Sequence, residues 1–349
     1  MAVRSPTAIK RLSVLRPSVS TALFLSSAEI AELARPEAYV DPVRAGYRER
    51  GNGAPAEPRT TLFNDAPAGM LTGYLAVLPE TGAMGGYTYA AGFGGRDAHF
   101  ALPIFDADSG APLALLDGAS MNPHKTGAAG AVGVDALAPV DASDLAVIGS
   151  GIQARGQLRA SATVRAFDRV EVYSPTQSHR QAFAAEMNEE LDPTVAAVAS
   201  SAAAVDGADV VITATDADEP VFDGGMLDPG THVTAMGQYH PAKRELDTGT
   251  IERATYVPDL RERVTQDAGS FIAALEDGVV DEDHVHAELG EVLVGDAPGR
   301  ESPDDITVFD SGGTAIETVA AGKMLYDRAR EAGVGEEIEF APASEAMDY

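Results

Sequence analysis

Gly149, Gly151 and Ala154 form the pattern G-x-G-x-x-A directly after the apolar run Leu145-Ala-Val-Ile148, and Ile152, Gln153 and Leu158 open a helix-forming stretch within and after it. Strand, glycine turn and helix in that order can cradle a pyrophosphate. The first glycine permits a tight turn, the second lets the backbone approach the phosphates, and a small third residue lets helix and strand pack together. The N–H groups opening the helix carry the partial positive charge that would hold the anion. A second short run, Arg169-Val-Glu-Val-Tyr173, follows one helix length later and completes a βαβ unit of about thirty residues. The expectation is a dinucleotide cofactor.

Which dinucleotide depends on the end of that second strand. An acidic residue about twenty positions beyond the turn would accept the ribose 2′-hydroxyl of NAD. Here the chain reads Tyr173-Ser174-Pro-Thr176-Gln-Ser-His-Arg180. Ser174, Thr176 and Arg180 offer donors to a 2′-phosphate instead, so NADP is favoured, with NAD as the alternative.

Apolar strands recur at residues 194–198, 208–213, 232–236, 255–258 and 306–309, alternating with helical segments, as in a doubly wound parallel sheet. Residues 21–126 read differently. Helices are expected from Ser27 and over 37–50, strands over 69–78, 86–92, 98–106 and 112–116, with a hairpin turn at Asp106-Ala-Asp-Ser-Gly110. A helix rich in small residues, 121–137, leads into the nucleotide-binding part, and a last helix, 315–332, leads back. The predicted fold class is therefore α/β, a Rossmann doubly wound sheet over 127–313. A discontinuous α+β domain for substrate binding and dimerisation takes 21–126 and 314–349.

The balance of 54 acidic against 25 basic residues, a net charge of −29, repels nucleic acid rather than binding it. Acid is spread along the whole chain, and the lysines are Lys10, Lys125, Lys243 and Lys323 alone. Concentrated salt would screen the self-repulsion of such a surface, and a halophilic cytoplasm is the expectation. No apolar run approaches the roughly 18 residues of a membrane span, and the absence of cysteine excludes disulfides, thiolate metal sites and a cysteine nucleophile. The first twenty residues carry Arg4, Lys10, Arg11 and Arg16 without an acid and read as a disordered tail. A translation start near Val19 is the alternative, and a targeting segment is disfavoured by the lack of an apolar core and a cleavage site. His284-x-His286, among Asp281, Glu282, Asp283 and Glu288, reads as a solvated acidic loop, and no metal is expected. No serine stands in a G-x-S-x-G setting.

Several stretches share order and spacing with one family. They are Phe105-Asp-Ala-Asp-Ser-Gly-Ala-Pro-Leu-Ala-Leu-Leu-Asp117, Lys125-Thr-Gly-Ala-Ala129, the glycine turn, Ala208-Asp-Val-Val-Ile-Thr-Ala-Thr215, Lys243-Arg-Glu-Leu246 and Phe309-Asp-Ser-Gly-Gly313. On these the chain resembles the ornithine cyclodeaminase, μ-crystallin and archaeal alanine dehydrogenase family from about Leu23 to Glu339. The resemblance implies a homodimer, a nicotinamide cofactor and an amino or imino acid bound between two domains, with hydride transfer at its α-carbon. It also implies cofactor contacts from Thr126, Ala214, Thr215, Met236, Gly237, Ser311 and Gly312. Arg59 matches the family's arginine for the substrate carboxylate, and Lys125 stands where most members carry arginine, keeping the charge without the fork.

Two positions depart from the family pattern. Tyr87 replaces a lysine and Tyr239 replaces an aspartate of the cyclodeaminases. A phenol is neutral at pH 7 and mainly donates, so either tyrosine is a candidate proton donor in reduction, the alternative being that both rings fill the pocket. The reading is an NAD(P)-dependent oxidoreductase of an amino acid, imino acid or cyclic ketimine. Ornithine cyclisation to proline and a non-catalytic, crystallin-like carrier of NADP are the alternatives.

Overall fold

The computed structural model describes residues 20–95 and 97–343; the basic stretch read as a tail lies outside them, apart from Ser20. The chain begins with strand β1 (Ser20–Leu25), helices α1 (Ser27–Leu33) and α2 (Val40–Gly51), and strands β2 (Thr60–Asp65), β3 (Ala68–Gly73), β4 (Ala76–Leu78), β5 (Ala83–Gly85), β6 (Thr88–Gly92), β7 (Ala98–Asp106) and β8 (Pro112–Asp117). Helix α3 (Asn122–Leu137) then leads to β9 (Asp144–Ile148), α4 (Ile152–Val164), β10 (Arg169–Tyr173), α5 (Gln177–Glu190), β11 (Thr194–Ala197), α6 (Ser201–Val205), β12 (Val210–Thr213) and β13 (His232–Ala235). Last come α7 (Thr248–Arg253), β14 (Thr255–Pro258), α8 (Gly269–Glu276), α9 (Leu289–Val294), β15 (Thr307–Asp310), α10 (Ala315–Ala332) and β16 (Glu336–Phe340).

Seven of these strands form a wholly parallel sheet in the order β11-β10-β9-β12-β13-β15-β14. Strands β12, β13 and β15 are buried along their whole length, as continuous apolar runs covered on both faces must be. Strand order reverses between β9 and β12, which opens a crevice at their carboxyl ends. The other sheet runs β16-β1-β8-β7-β6-β3-β2, with β5 pairing both β7 and β4. It is antiparallel except where β1 meets β8.

Helices α3 and α4 pack closely against each other. A Cβ on Gly127 would lie 2.2 Å from the Gly156 carbonyl oxygen, and one on Gly156 would lie 2.2 Å from that of Pro123. Only glycine tolerates such an approach, so α3 and α4 cross in backbone contact. Helix α10 starts in a capping box of Thr314 and Glu317, ends at Gly333 and packs on α2.

Three expectations need correction. The helix foreseen from residue 37 starts at Val40, after a 3-10 turn over Pro36–Tyr39, because Pro42 lacks an N–H and fits only the first turn. The strand foreseen over 69–78 is two strands, since β3 pairs β6 whereas β4 pairs β5. The strand foreseen over 86–92 starts at Thr88; at Gly86 the backbone passes so near Tyr74 that a Cβ would lie 1.8 Å from its carbonyl oxygen.

Candidate active site

The carboxyl ends of the parallel strands gather the glycine turn and the segments after β12, β13 and β15. Gly149 adopts φ 124° and lies against Ala214, whose carbonyl oxygen would be 2.3 Å from an added Cβ. Gly151 is the N-cap of α4 and provides no side-chain cap, which leaves the first-turn N–H groups for an anion. Ile152 is exposed beside them, and Ala154 is fully buried, packing the helix on the sheet. At the end of β10, Ser150 Oγ donates to Ser174 Oγ at 2.8 Å, while Arg180 Nη1 donates to the Ser174 carbonyl at 2.8 Å and its guanidinium covers the Tyr173 ring. Thr176 is the N-cap of α5 without a side-chain cap bond.

A cavity of about 270 Å³ lies between the crevice and the antiparallel sheet. Arg59, Lys125, Thr126, Gln153, Met236, Tyr239, Ser311 and Gly312 all line it, so eight of the residues singled out in the sequence meet there. Met70, Tyr74, Tyr89 and Phe100 supply an aromatic and apolar wall that no sequence pattern indicated. Ser311 Oγ and Gln153 Oε1 are buried without a hydrogen-bond partner among the described residues. Unpaired polar atoms on a pocket wall are costly unless a ligand or water meets them. Together with the open first turn of α4, they fit a bound dinucleotide carrying a polar head.

The two cations are held in different ways. Arg59 Nε lies 3.1 Å from Asp267 Oδ2, and Nη2 donates to the carbonyl oxygens of Gly312 and of Gly313, the latter at 3.0 Å. The fork expected to grip a carboxylate with both nitrogens is thus partly committed to the turn after β15, and among the described residues Nη1 has no acceptor. Lys125 is 2% exposed and its Nζ donates to Glu317 Oε1 at 3.1 Å. Burial opposes its charge, but Tyr74 and Glu317 outweigh burial and raise its pKa above the ordinary lysine value.

The tyrosines separate. Tyr239 is 38% exposed at the cavity, stacked 5.7 Å from the Arg59 guanidinium. Burial and the nearby Asp216 raise its pKa, so the phenol is protonated at neutral pH. Tyr87 is fully buried outside the cavity lining, and its hydroxyl donates to the Gly118 carbonyl at 2.8 Å. Its candidacy as a proton donor is therefore corrected: the hydroxyl satisfies a core carbonyl and the ring packs against Phe100.

Buried acids missed in the sequence organise this site. Glu245 accepts from Thr213 Oγ1, from the N–H and Oγ1 of Thr215, and from the Gly237 N–H, all at 2.6 to 2.7 Å. It ties the ends of β12 and β13 together and occupies Thr215 and Gly237, both expected at the cofactor. Asp259, Asp267 and Asp310 surround the fully buried Arg263. Asp259 also accepts from the Gly313 N–H at 2.8 Å, and Asp267 reaches Arg59. The Lys243-Arg-Glu-Leu246 stretch was the one available signal for Glu245. Among the described residues His284 and His286 bond to no carboxylate; each ring meets a backbone carbonyl instead, of Ile251 and of Pro298.

Comparison with known proteins places this geometry in context. The family model described as ornithine cyclodeaminase/mu-crystallin matches residues 20–333. A Δ1-pyrroline-2-carboxylate reductase of Bacillus cereus is 36% identical over 238 residues, 68% of this chain and 73% of that one. The structure of the Thermococcus litoralis Δ1-pyrroline-2-carboxylate reductase in complex with NADH and L-proline superposes with a TM-score of 0.85 at 33% identity, covering 90% of this chain and 100% of the other. An archaeal alanine dehydrogenase dimer with bound NAD gives a TM-score of 0.85 at 29% identity, covering 92% and 99%.

Proposed function

The chain belongs to the ornithine cyclodeaminase/mu-crystallin family, and from that premise we propose that it is a nicotinamide-dependent enzyme that reduces the C=N bond of an α-imino acid or cyclic ketimine. The observation that carries the reading is one cavity lined by two cations, Arg59 and Lys125, and by the neutral phenol of Tyr239, at the carboxyl ends of parallel strands. When bound, the nicotinamide supplies the hydride. Lys125 and the free edge of Arg59 bind the substrate carboxylate, fixing the α-carbon near the crevice. Tyr239 holds the proton that the imine nitrogen takes up. Tyr74, Tyr89 and Phe100 exclude water from the reacting bond.

The absence of an acid after β10, with Ser174, Thr176 and Arg180 in its place, supports NADP as the preferred cofactor, while the two solved relatives above carry NADH and NAD. A homodimer is part of the proposal, supported by the dimeric alanine dehydrogenase relative; so is a cytoplasmic, high-salt setting, supported by the charge of −29. No helix among the described residues is long and apolar enough to cross a membrane. Ornithine cyclisation is disfavoured, because among the described residues no carboxylate lines the cavity to hold a second ammonium.

The test is oxidation of NADPH and of NADH with Δ1-pyrroline-2-carboxylate, and with 2-oxo acids plus amines. Cofactor binding without any turnover would replace the reductase reading with that of a ligand carrier. Release of proline and ammonia from ornithine would make the chain a cyclodeaminase.

A further inference from the structure

The antiparallel register lays two rows of side chains across one face of the first sheet. Thr72, Tyr89 and Phe100 are direct partners in the first row; two residues along each strand, Met70, Ala91 and Ala98 are partners in the second. Residues two apart on a strand share a face. The first row is bulky: the Tyr89 and Phe100 rings lie 4.9 Å apart and tilted, with Tyr74 edge-on to Tyr89 at 6.4 Å. In the second row two of three positions carry only a methyl group. Met70, Ala91 and Ala98 line the cavity, and Met70 and Ala91 also line a neighbouring hollow bounded by Phe63, Ala68 and Gly69, with Asn64 and Asp65 beside them. The wall facing the α-carbon site therefore steps down from rings to methyls, and shares Met70 and Ala91 with an open, mainly apolar recess that Asn64 and Asp65 also line.

We propose that this recess receives the substrate side chain, so that the enzyme accepts α-imino acids whose side chain is an aryl or branched alkyl group larger than the pyrroline ring. The inference rests on the reductase reading. The chemistry is unchanged: hydride from the reduced nicotinamide forms the new C–H bond at the imine carbon, the C=N π pair moves to nitrogen, and nitrogen takes one proton to give the secondary amine. Specificity arises because the alanine pair leaves volume that leucine would fill, and a hydrophobic pocket discriminates by the size it can admit.

Two substrates separate the possibilities: Δ1-pyrroline-2-carboxylate, and the imine formed from phenylpyruvate and methylamine. The wild type reduces both, and Ala91→Leu and Ala98→Leu each lower the ratio of kcat/KM for the aryl imine to that for the cyclic imine by about tenfold or more. Unchanged cofactor affinity in each variant reports an intact fold. The proposal is overturned if the wild type reduces only the cyclic imine, or if the ratio stays within about twofold in both variants that bind cofactor. If the wild type binds cofactor and reduces neither compound, the reductase reading itself falls, and the recess with it.

Discussion

The Lys125–Glu317 pair offers the sharpest test of how the pocket holds its charge. Glu317 Oε1 accepts from Lys125 Nζ at 3.1 Å and from the Thr314 N–H at 2.7 Å; Oε2 accepts from Thr314 Oγ1 at 2.5 Å and from the Tyr47 hydroxyl at 3.4 Å. In Glu317→Gln the remaining oxygen keeps the first two donors. The new amide faces two hydroxyls, which can rotate and accept. The substitution therefore removes the charge while keeping the hydrogen bonds, and leaves the Lys125 ammonium buried without its counter-ion. Breaking a buried pair in this way costs about 3–5 kcal/mol, and the retained bonds put the expected loss near the lower figure.

A double-mutant cycle reads the coupling directly. Urea unfolding of the wild type, Glu317→Gln, Lys125→Met and the double variant, at one protomer concentration and one salt concentration, gives the four free energies. Each single variant loses about 3 kcal/mol, whereas the double variant, with neither charge left to bury, loses much less. The coupling is therefore expected to exceed about 3 kcal/mol. Additivity of the two single losses to within about 0.5 kcal/mol would refute the assignment of this contact as a buried, energetically coupled pair.

Four further outcomes follow from named contacts. Asp267→Asn releases Arg59 and should raise KM for the carboxylate substrate about tenfold, the equivalent of one charge-supported hydrogen bond, with cofactor affinity unchanged; an unaltered KM would mean that Arg59 needs no such support. Tyr239→Phe should lower kcat by about 100-fold or more while Tyr87→Phe costs about 1–2 kcal/mol of stability with near-normal turnover, and normal turnover in both would end the proton-holding role of Tyr239. His232 is fully buried between Thr307 and Thr234, and burial foremost lowers its pKa from 6.5 to about 3; the unfolded chain takes up a proton that the folded chain refuses, so stability is whole above pH 6.5 and falls towards pH 3, by up to roughly 5 kcal/mol, a slope that His232→Gln should flatten in acid titration followed by circular dichroism. Raising KCl from dilute buffer to molar concentration should raise the melting temperature, and greater stability in dilute buffer would remove the high-salt reading.

The parallel sheet was legible because its strands are short apolar runs placed between helical segments, and β14 and α10 begin and end where the pattern puts them. Strands β2 and β16 escaped notice for a shared physical reason. Glu336-Glu-Ile-Glu-Phe340 and Thr60-Thr-Leu-Phe-Asn-Asp65 are end strands of the sheet, largely exposed on both faces, so no alternation of burial marks them. Strand β1 is distinguished only by pairing with residues far along the chain, parallel to β8 and antiparallel to β16. In the site, the glycine turn could be read from type and spacing, whereas Arg59 and Lys125 were indicated by the family resemblance alone. The aromatic wall was legible in neither way, because Tyr89 and Phe100 become neighbours only through the β6–β7 register.

Buried acid is the part of the site that composition concealed. With 54 acidic residues in the chain, acidity reads as a surface property, yet Asp259, Asp310, Glu245 and Glu317 are fully buried. Around Arg263 the balance is three carboxylates, Asp259, Asp267 and Asp310, to two guanidiniums when Arg59 is included. Burial, and after it the neighbouring Glu317 and Asp310, push Asp259 up to about 6 against the pull of Arg263. Tyr256 donates to Asp310, and Gln238 Nε2 reaches its Oδ2 at 2.9 Å, so hydrogen bonds carry part of what ion pairing does not. Such a cluster is weak support for overall stability, since desolvation offsets much of the attraction. Its effect is geometric: Asp267 aims Arg59, Asp259 holds the Gly313 N–H, and Arg263 packs so near Gly312 that a Cβ there would lie 2.3 Å from its Cζ. The turn that bounds the cavity is fixed from below by charges, and the cation above it inherits that position.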